Sequence, residues 1–244
     1  MKRYKLTFEF DGTDFKGWQR QPDVRTVEGV IEDAFSKFYQ EEINIIGQGR
    51  TDAGVHALAQ TAHVDLPERY TRRKVKLAMR GLFPRDVVLK EMVEVDQDFH
   101  ARFKAVKRTY QYQVSTKPVA LHRHFVWSYF FEPNIDLLQE CANRLYGEHD
   151  FINFCIPNDE EYGTTVCTIT KSKWREQDGL LIYEIEGNRF LRHMVRRLVG
   201  SMVQTAAGKI NINEFDRLLT GGEVQQKAFS APAAGLILKD VYYS

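Results

Sequence analysis

Thr165-Val-Cys-Thr-Ile-Thr-Lys-Ser-Lys-Trp-Arg-Glu-Gln-Asp-Gly-Leu-Leu-Ile-Tyr-Glu-Ile-Glu186 is the stretch whose reading decides the fold. Two strand-like runs, Thr165 to Arg175 and Leu180 to Glu186, flank Gln177-Asp178-Gly179, and an Asp-Gly step supplies the positive φ angles of a tight hairpin. The two runs should be antiparallel neighbours. Upstream, Arg108 to Ser115 reads as a strand and Ile135 to Tyr146 as a helix. Downstream, a long helix is expected from Phe190 to about Ala206, stopped by Gly208. A shorter helix capped by Asn213 and a final alternating strand from Gly235 to Tyr242 complete the order β-α-β-β-α-β.

The first half reads the same way. Leu6, Phe8 and Phe10 alternate as in a strand, and Thr26 can cap a helix whose Val27, Val30, Ile31, Ala34, Phe35 and Phe38 recur at helical spacing. Ile43, Ile45 and a loop around Asp52 lead into a second alternating stretch, Ala62, Val64 and Leu66. Thr71 can cap a short basic helix to Arg80, and Val87, Leu89 and Glu91 open another strand. The expectation is an α+β fold of two ferredoxin-like β-α-β-β-α-β repeats, residues 1–105 and 106–244, with mainly antiparallel sheets and helices on one face. A cleft shared by the two is the expected catalytic site.

At 244 residues the chain is long enough for a substantial core. Its apolar runs are too short and too charged to cross a bilayer, and Met1-Lys2-Arg3-Tyr4 leads straight into a strand pattern, so a cytoplasmic protein is expected. Cys141, Cys155 and Cys167 lack Cys-x-x-Cys spacing and read as buried thiols; His122, His124 and His149 form no convincing ligand set, so no metal site is expected. Net charge is +1, yet the cations cluster. Arg69 to Arg80, Arg102 to Arg108 and Arg189 to Arg197 are basic runs, while acids gather at Glu28 to Glu42 and Asp159 to Glu161. Such runs are either solvated faces or footprints for a phosphate backbone.

The chemistry centres on Gly49-Arg50-Thr51-Asp52-Ala53-Gly54-Val55-His56-Ala57. Glycines allow a sharp turn and close approach to a ligand, and in extended chain an i, i+2 spacing points Arg50 and Asp52 the same way. Taken alone, the same residues also read as an ordinary turn. On the long helix, Leu191, Val195, Leu198 and Met202 make an apolar stripe, with Arg189, Arg192 and Arg196 on a neighbouring face. A sequestered Arg196 needs a carboxylate partner, and Asp52 is a candidate.

Eight blocks in order carry a resemblance: Asp11-Gly12-Thr13, Gly17-Trp18-Gln19-Arg20-Gln21, Gly49 to Ala57, Phe99-His100-Ala101-Arg102-Phe103, Arg108-Thr109-Tyr110-Gln111-Tyr112, Gly187-Asn188-Arg189-Phe190-Leu191, Met194-Val195-Arg196 and Ala231-Pro232-Ala233-Ala234-Gly235-Leu236. Together they resemble the tRNA pseudouridine synthase A family across nearly the whole chain. The resemblance implies a homodimer, no cofactor, and tRNA as substrate at uridines 38, 39 and 40 of the anticodon stem-loop. By motif position it implies Asp52 as catalytic aspartate, Arg50 as the arginine that helps displace the base, Tyr110 as the tyrosine against the uracil, and Arg196 as the aspartate's partner. The basic runs containing Arg102, Arg108 and Arg189 would hold phosphates. Phe229-Ser230 departs from the family pattern.

Two other classes fit parts of the chain. Glu9-Phe10-Asp11-Gly12-Thr13 resembles the strand end of aspartate-nucleophile phosphatases, but glutamate stands where their nucleophile belongs and the doubly wound alternation is missing. Asp11 is instead expected to bond a turn that shapes the site's entrance with Trp18. A non-catalytic RNA binder would use the cations and aromatics but has no use for a carboxylate beside phosphates.

Overall fold

A computed structural model of the chain describes residues 1–130, 132–156, 163–220 and 227–244; the acidic stretch Asp159 to Glu161 lies outside them. The chain divides into one unit of Met1–Val106 with Leu238–Ser244 and another of Lys107–Ile237.

In the first unit the order is β1 (Lys2–Phe10), α1 (Val27–Tyr39), β2 (Ile46–Gly47), β3 (His56–Leu66), α2 (Arg72–Leu82) and β4 (Val87–Val95). β1 pairs antiparallel with both β3 and β4, and β2 adds antiparallel to β3. Alternation works as read: Leu6, Phe8 and Phe10 are buried together with Ala62, Val64 and Leu66. Phe83 lies 6.2 Å from Phe8 and 6.3 Å from Phe35 of α1, so helix and sheet close on one aromatic layer. Both expected caps are present, with Thr26 accepting Gly29 N–H and Thr71 accepting Lys74 N–H.

The second unit begins within β5 (Ala105–Ser115) and continues through β6 (Trp127–Ser128), α3 (Ile135–Asn143), β7 (Gly147–Asp150), β8 (Val166–Gln177), β9 (Leu180–Gly187), α4 (Met194–Ala206) and α5 (Ile212–Leu219). The β8–β9 hairpin forms, with Asp178 at φ 53° and Gly179 at φ 75° in its turn. β9 also pairs antiparallel with β5, and β7 with β8; β6 runs parallel to β5. Trp174 of β8 packs 5.0 Å from Tyr183 and donates its indole N–H to Met202 Sδ of α4 at 3.5 Å. A last strand, β10 (Leu236–Tyr243), neighbours β3, and its residues from Leu238 belong to the first unit.

Several boundaries differ from expectation. α4 starts at Met194, not Phe190, because His193 takes a left-handed φ of 64° and Met194 N–H closes a turn on Leu191 O. Arg189 and Arg192 therefore stand outside the helix, and the expected helical row of three arginines does not exist. α3 ends at Asn143, where Leu145 and Tyr146 make i−3 bonds that tighten the exit towards Gly147, at φ 95°. Asn211, rather than Asn213, caps α5 by accepting Glu214 N–H at 2.9 Å.

α4 also carries a steric demand. A Cβ on Gly200 would lie 2.1 Å from Phe229 O and 2.9 Å from Ala231 N, so the segment 228–231 crosses the helix against bare backbone. Replacing a helical glycine with alanine normally gains ~1 kcal/mol of helix propensity. Here Gly200→Ala should instead lower the thermal midpoint, with overpacking costing ~1–3 kcal/mol; an unchanged or raised midpoint in a calorimetric scan would contradict this packing.

Candidate active site

The chain between β2 and β3 doubles back at residues 52–55. Val55 N–H donates to Asp52 O at 3.1 Å, and Gly54 has φ 79°, as the third position of a type II turn requires. The segment Gly12 to Trp18 is tied to this turn: Trp18 N–H donates to Thr51 O at 3.1 Å, Gly54 N–H to Phe15 O at 3.2 Å and Gly12 N–H to His56 Nδ1 at 3.0 Å. Position 12 must be glycine, since a Cβ there would meet Val55 O at 1.9 Å. The backbone of Asp52 is thus held from both sides, with its side chain half-buried. Asp11 accepts the Thr13 N–H and hydroxyl at 3.0 and 2.6 Å, closing its own turn as expected.

Arg50 is exposed but not loose. Its Nε donates to Gln19 Oε1 at 2.8 Å, and Gln19 Nε2 donates in turn to Glu28 Oε2 at 2.9 Å. The same Glu28 carboxylate accepts the Trp18 indole N–H at 3.1 Å and the Arg20 backbone N–H at 2.7 Å. Glu28 lies in the first turn of α1, where the helix dipole favours negative charge, and an ionised carboxylate offers only acceptors to those N–H groups. Trp18, expected at an entrance, is instead 2% exposed, because its indole N–H is drawn to this buried acceptor. Sequence reasoning assigned no role to Gln19 or Glu28. The available signal was an acid two residues after a capping threonine, but nothing in the spacing reveals what it receives.

Arg102 belongs to the Phe99 to Lys104 loop of the same unit. Ala101 N–H donates to His63 Nδ1 at 3.2 Å, and the N–H groups of Arg102 and Phe103 donate to His100 Nδ1 at 3.2 and 3.4 Å. Arg3, paired with Asp65, donates to Gln97 O and Phe99 O, and Tyr243 OH donates to Ala101 O at 2.9 Å. Both imidazoles are needed as acceptors, hence neutral at Nδ1. Burial first, then the electrostatic influence of the neighbouring His100 ring and Arg3 guanidinium, push His63 down to about 4.

In the second unit, Arg108 and Tyr110 share one side at the start of β5, opposite Gly187 and Ile185 of β9. Tyr110 is half-buried, with Phe190 edge-on at 5.1 Å, and Arg108 Nη1 donates to Asn188 O at 2.9 Å. Tyr112, two residues further, is wholly buried and donates its hydroxyl to Pro232 O at 2.6 Å; burial raises its phenol above the ordinary range. Of the two tyrosines, Tyr112 packs and Tyr110 stays partly accessible. Arg196 sits in the first turn of α4, donates Nε–H to Ala231 O at 2.8 Å, and its backbone carbonyl accepts Ala231 N–H at 3.0 Å. Arg189 is half-buried and Arg192 exposed, both in the irregular stretch before α4.

Among the described residues no group of three His, Cys, Asp or Glu side chains could hold a metal, and no helix is long and apolar enough to cross a membrane.

The profile of a family described as tRNA pseudouridine synthase matches residues 6–104 and 141–244. Over its full length the chain is 37% identical to tRNA pseudouridine synthase A of Pelodictyon phaeoclathratiforme and 38% identical to that of Thermosipho africanus, each of which it covers completely. The enzyme of the same name from Acetivibrio thermocellus is 36% identical, again with both chains fully covered.

Glu28→Gln should cost about 1–3 kcal/mol, because the amide turns one acceptor into a donor facing other donors; thermal melts compare it with the parent. Acidification tests the histidine clasp. His63 takes up a proton near 6.5 when unfolded and only near 4 when folded, so its contribution to stability is full above pH 6.5 and declines as pH falls towards 4. Denaturant titrations across that window should show a steeper loss for the parent than for His63→Gln.

Proposed function

Because the chain belongs to the tRNA pseudouridine synthase A family, and is thus an isomerase that converts uridine to pseudouridine in tRNA, we propose that Asp52 is its catalytic carboxylate, acting without a cofactor at uridines 38, 39 and 40 of the anticodon stem-loop. The single observation supporting this choice is the Asp52 turn itself, a half-buried carboxylate on a backbone tied down on both sides. Catalysis by one group requires such preorganisation.

The reaction breaks the bond between N1 and the ribose carbon, turns the uracil and rejoins it through C5. The C5 hydrogen leaves to solvent and N1 takes up a proton, so atoms balance with no redox step. Asp52 in its ionised form attacks the ribose carbon or C6, or draws a proton from the sugar. Arg196 is the cation that favours that ionised form, a task suited to a guanidinium because it is always charged and can hold a carboxylate by two bonds. Arg50 fills the space left by the extruded base, an unstacking that costs a few kcal/mol. Its hydrogen bond to Gln19 gives it a defined starting position. Tyr110 offers the uracil an aromatic face and a hydroxyl for proton transfer at C5. Arg102, Arg108 and Arg189 bind phosphates. The same reading takes residues 1–105 and 106–244 as two ferredoxin-like repeats, in a cytoplasmic homodimer.

The test is tRNA transcript tritiated at uracil C5, incubated with purified protein and no added metal. Wild type should release tritium, and Asp52→Asn should release none while keeping its affinity for tRNA. Turnover by Asp52→Asn would remove the carboxylate from the reaction.

A further inference from the structure

Helix α2 carries Arg72, Arg73, Lys74, Lys76 and Arg80, and no acid occurs between Glu68 and Asp86. Its apolar side is spoken for, since Val75 and Met79 are fully buried and the helix packs on β4. That leaves the other side in water, where Arg72, Arg73, Lys74 and Arg80 are all exposed. A solvated cationic face ordinarily carries acids three or four residues away that pair with it. Arg69, just before the helix, does bond Glu41 and Tyr39 O, but among the described residues Arg72, Arg73 and Arg80 have no carboxylate partner. Lys74 lies 4.2 Å from the Tyr70 ring and Lys76 donates to Lys90 O at 3.2 Å, and neither contact neutralises charge. Arg72, Arg73 and Lys74 also fill the first turn, where the macrodipole disfavours cations. An arrangement that works against the isolated chain points to something it binds.

The pattern of charge identifies the occupant. Arg73, Lys76 and Arg80 recur about one turn apart, which makes a straight row of positive charge suited to a linear polyanion. A protein partner would need an apolar centre, and Leu77 is the one large apolar side chain exposed on α2. We infer that this face of α2 binds the phosphate backbone of the tRNA at a second place, away from the target nucleotide. β3, 11 residues long, separates the Asp52 turn from the start of α2 by roughly 35 Å of strand, farther than one extruded nucleotide reaches. The inference rests on tRNA as the substrate, and adds a footprint that Arg102, Arg108 and Arg189 do not supply.

The experiment is a salt titration of equilibrium binding, with whole tRNA transcript and with its isolated anticodon stem-loop, comparing wild type with the triple variant Arg72→Gln, Arg73→Gln, Arg80→Gln. On whole tRNA the variant should bind about tenfold or more weakly at low salt, with a slope of log affinity against log salt shallower by about 2, as three lost phosphate contacts require. The stem-loop should bind both proteins alike. The variant's thermal midpoint should hold or rise, because cations leave the positive end of a helix, and this separates a lost contact from lost folding. Parental affinity and slope on whole tRNA, equal losses on both RNAs, or a loss accompanied by a lowered midpoint overturns the inference. So does a smaller species on size exclusion, which would mark a contact between copies of the chain. Tritium release separates the two readings. If wild type releases none while the variant still loses affinity, only the catalytic reading falls; with release intact and the variant binding like its parent, only the α2 footprint falls.

Discussion

The buried carboxylate of Glu28 is the interaction on which the order of the first unit's site depends. It gathers the Trp18 indole, the Gln19 amide and the Arg20 backbone N–H, and through Gln19 it reaches Arg50. A buried charge is tolerable only when its lone pairs are filled, so the hydrogen bonds are the condition for having the acid there at all. Because Trp18 N–H also bonds Thr51 O, α1, the Gly17 to Gln21 segment and the Asp52 turn are one connected structure. The Asp52 turn inherits its rigidity from a helix start.

The second unit reaches a similar end by steric means. Arg196 and Ala231 exchange two hydrogen bonds, one through the guanidinium and one through the backbone carbonyl, while Tyr112 bonds Pro232 O. Gly200, one turn along α4, lets the same segment pass against the helix. Phe229 and Ser230 lie on this crossing, where the contact is made by Phe229's carbonyl oxygen and ring edge.

Glycine recurs at these crossings for one reason. At Gly12 and Gly200 the chain passes within a carbonyl's reach of another segment, and at Gly54 it needs a left-handed turn. Each position demands a closeness or a turn that no other residue permits.

Periodicity made much of the fold legible. Leu6, Phe8 and Phe10 alternate because β1 buries one face, Thr26 and Thr71 cap helices because their side chains satisfy orphan N–H groups, and Asp178-Gly179 turns because both adopt positive φ. These are local effects, written within a few residues. The start of α4 was not legible, since Phe190 to His193 have an acceptable helical pattern and only a left-handed His193 breaks it. Nor were the short strands β2, β6 and β7, whose pairing depends on partners 13 to 22 residues away.

By itself the sequence determined which residue types stand in order along the chain: Asp52 between its glycines, Tyr110 opening a strand, Arg196 beside an apolar stripe, and hence the family. Only the tertiary structure decided that Trp18 is interior, that Glu28 is the acceptor beneath Arg50, and that the arginines of α2 stand in water with no carboxylate partner among the described residues. Each of those depends on which side chains distant in sequence meet after folding, and hydrogen-bond partners and exposure are properties of that meeting rather than of spacing.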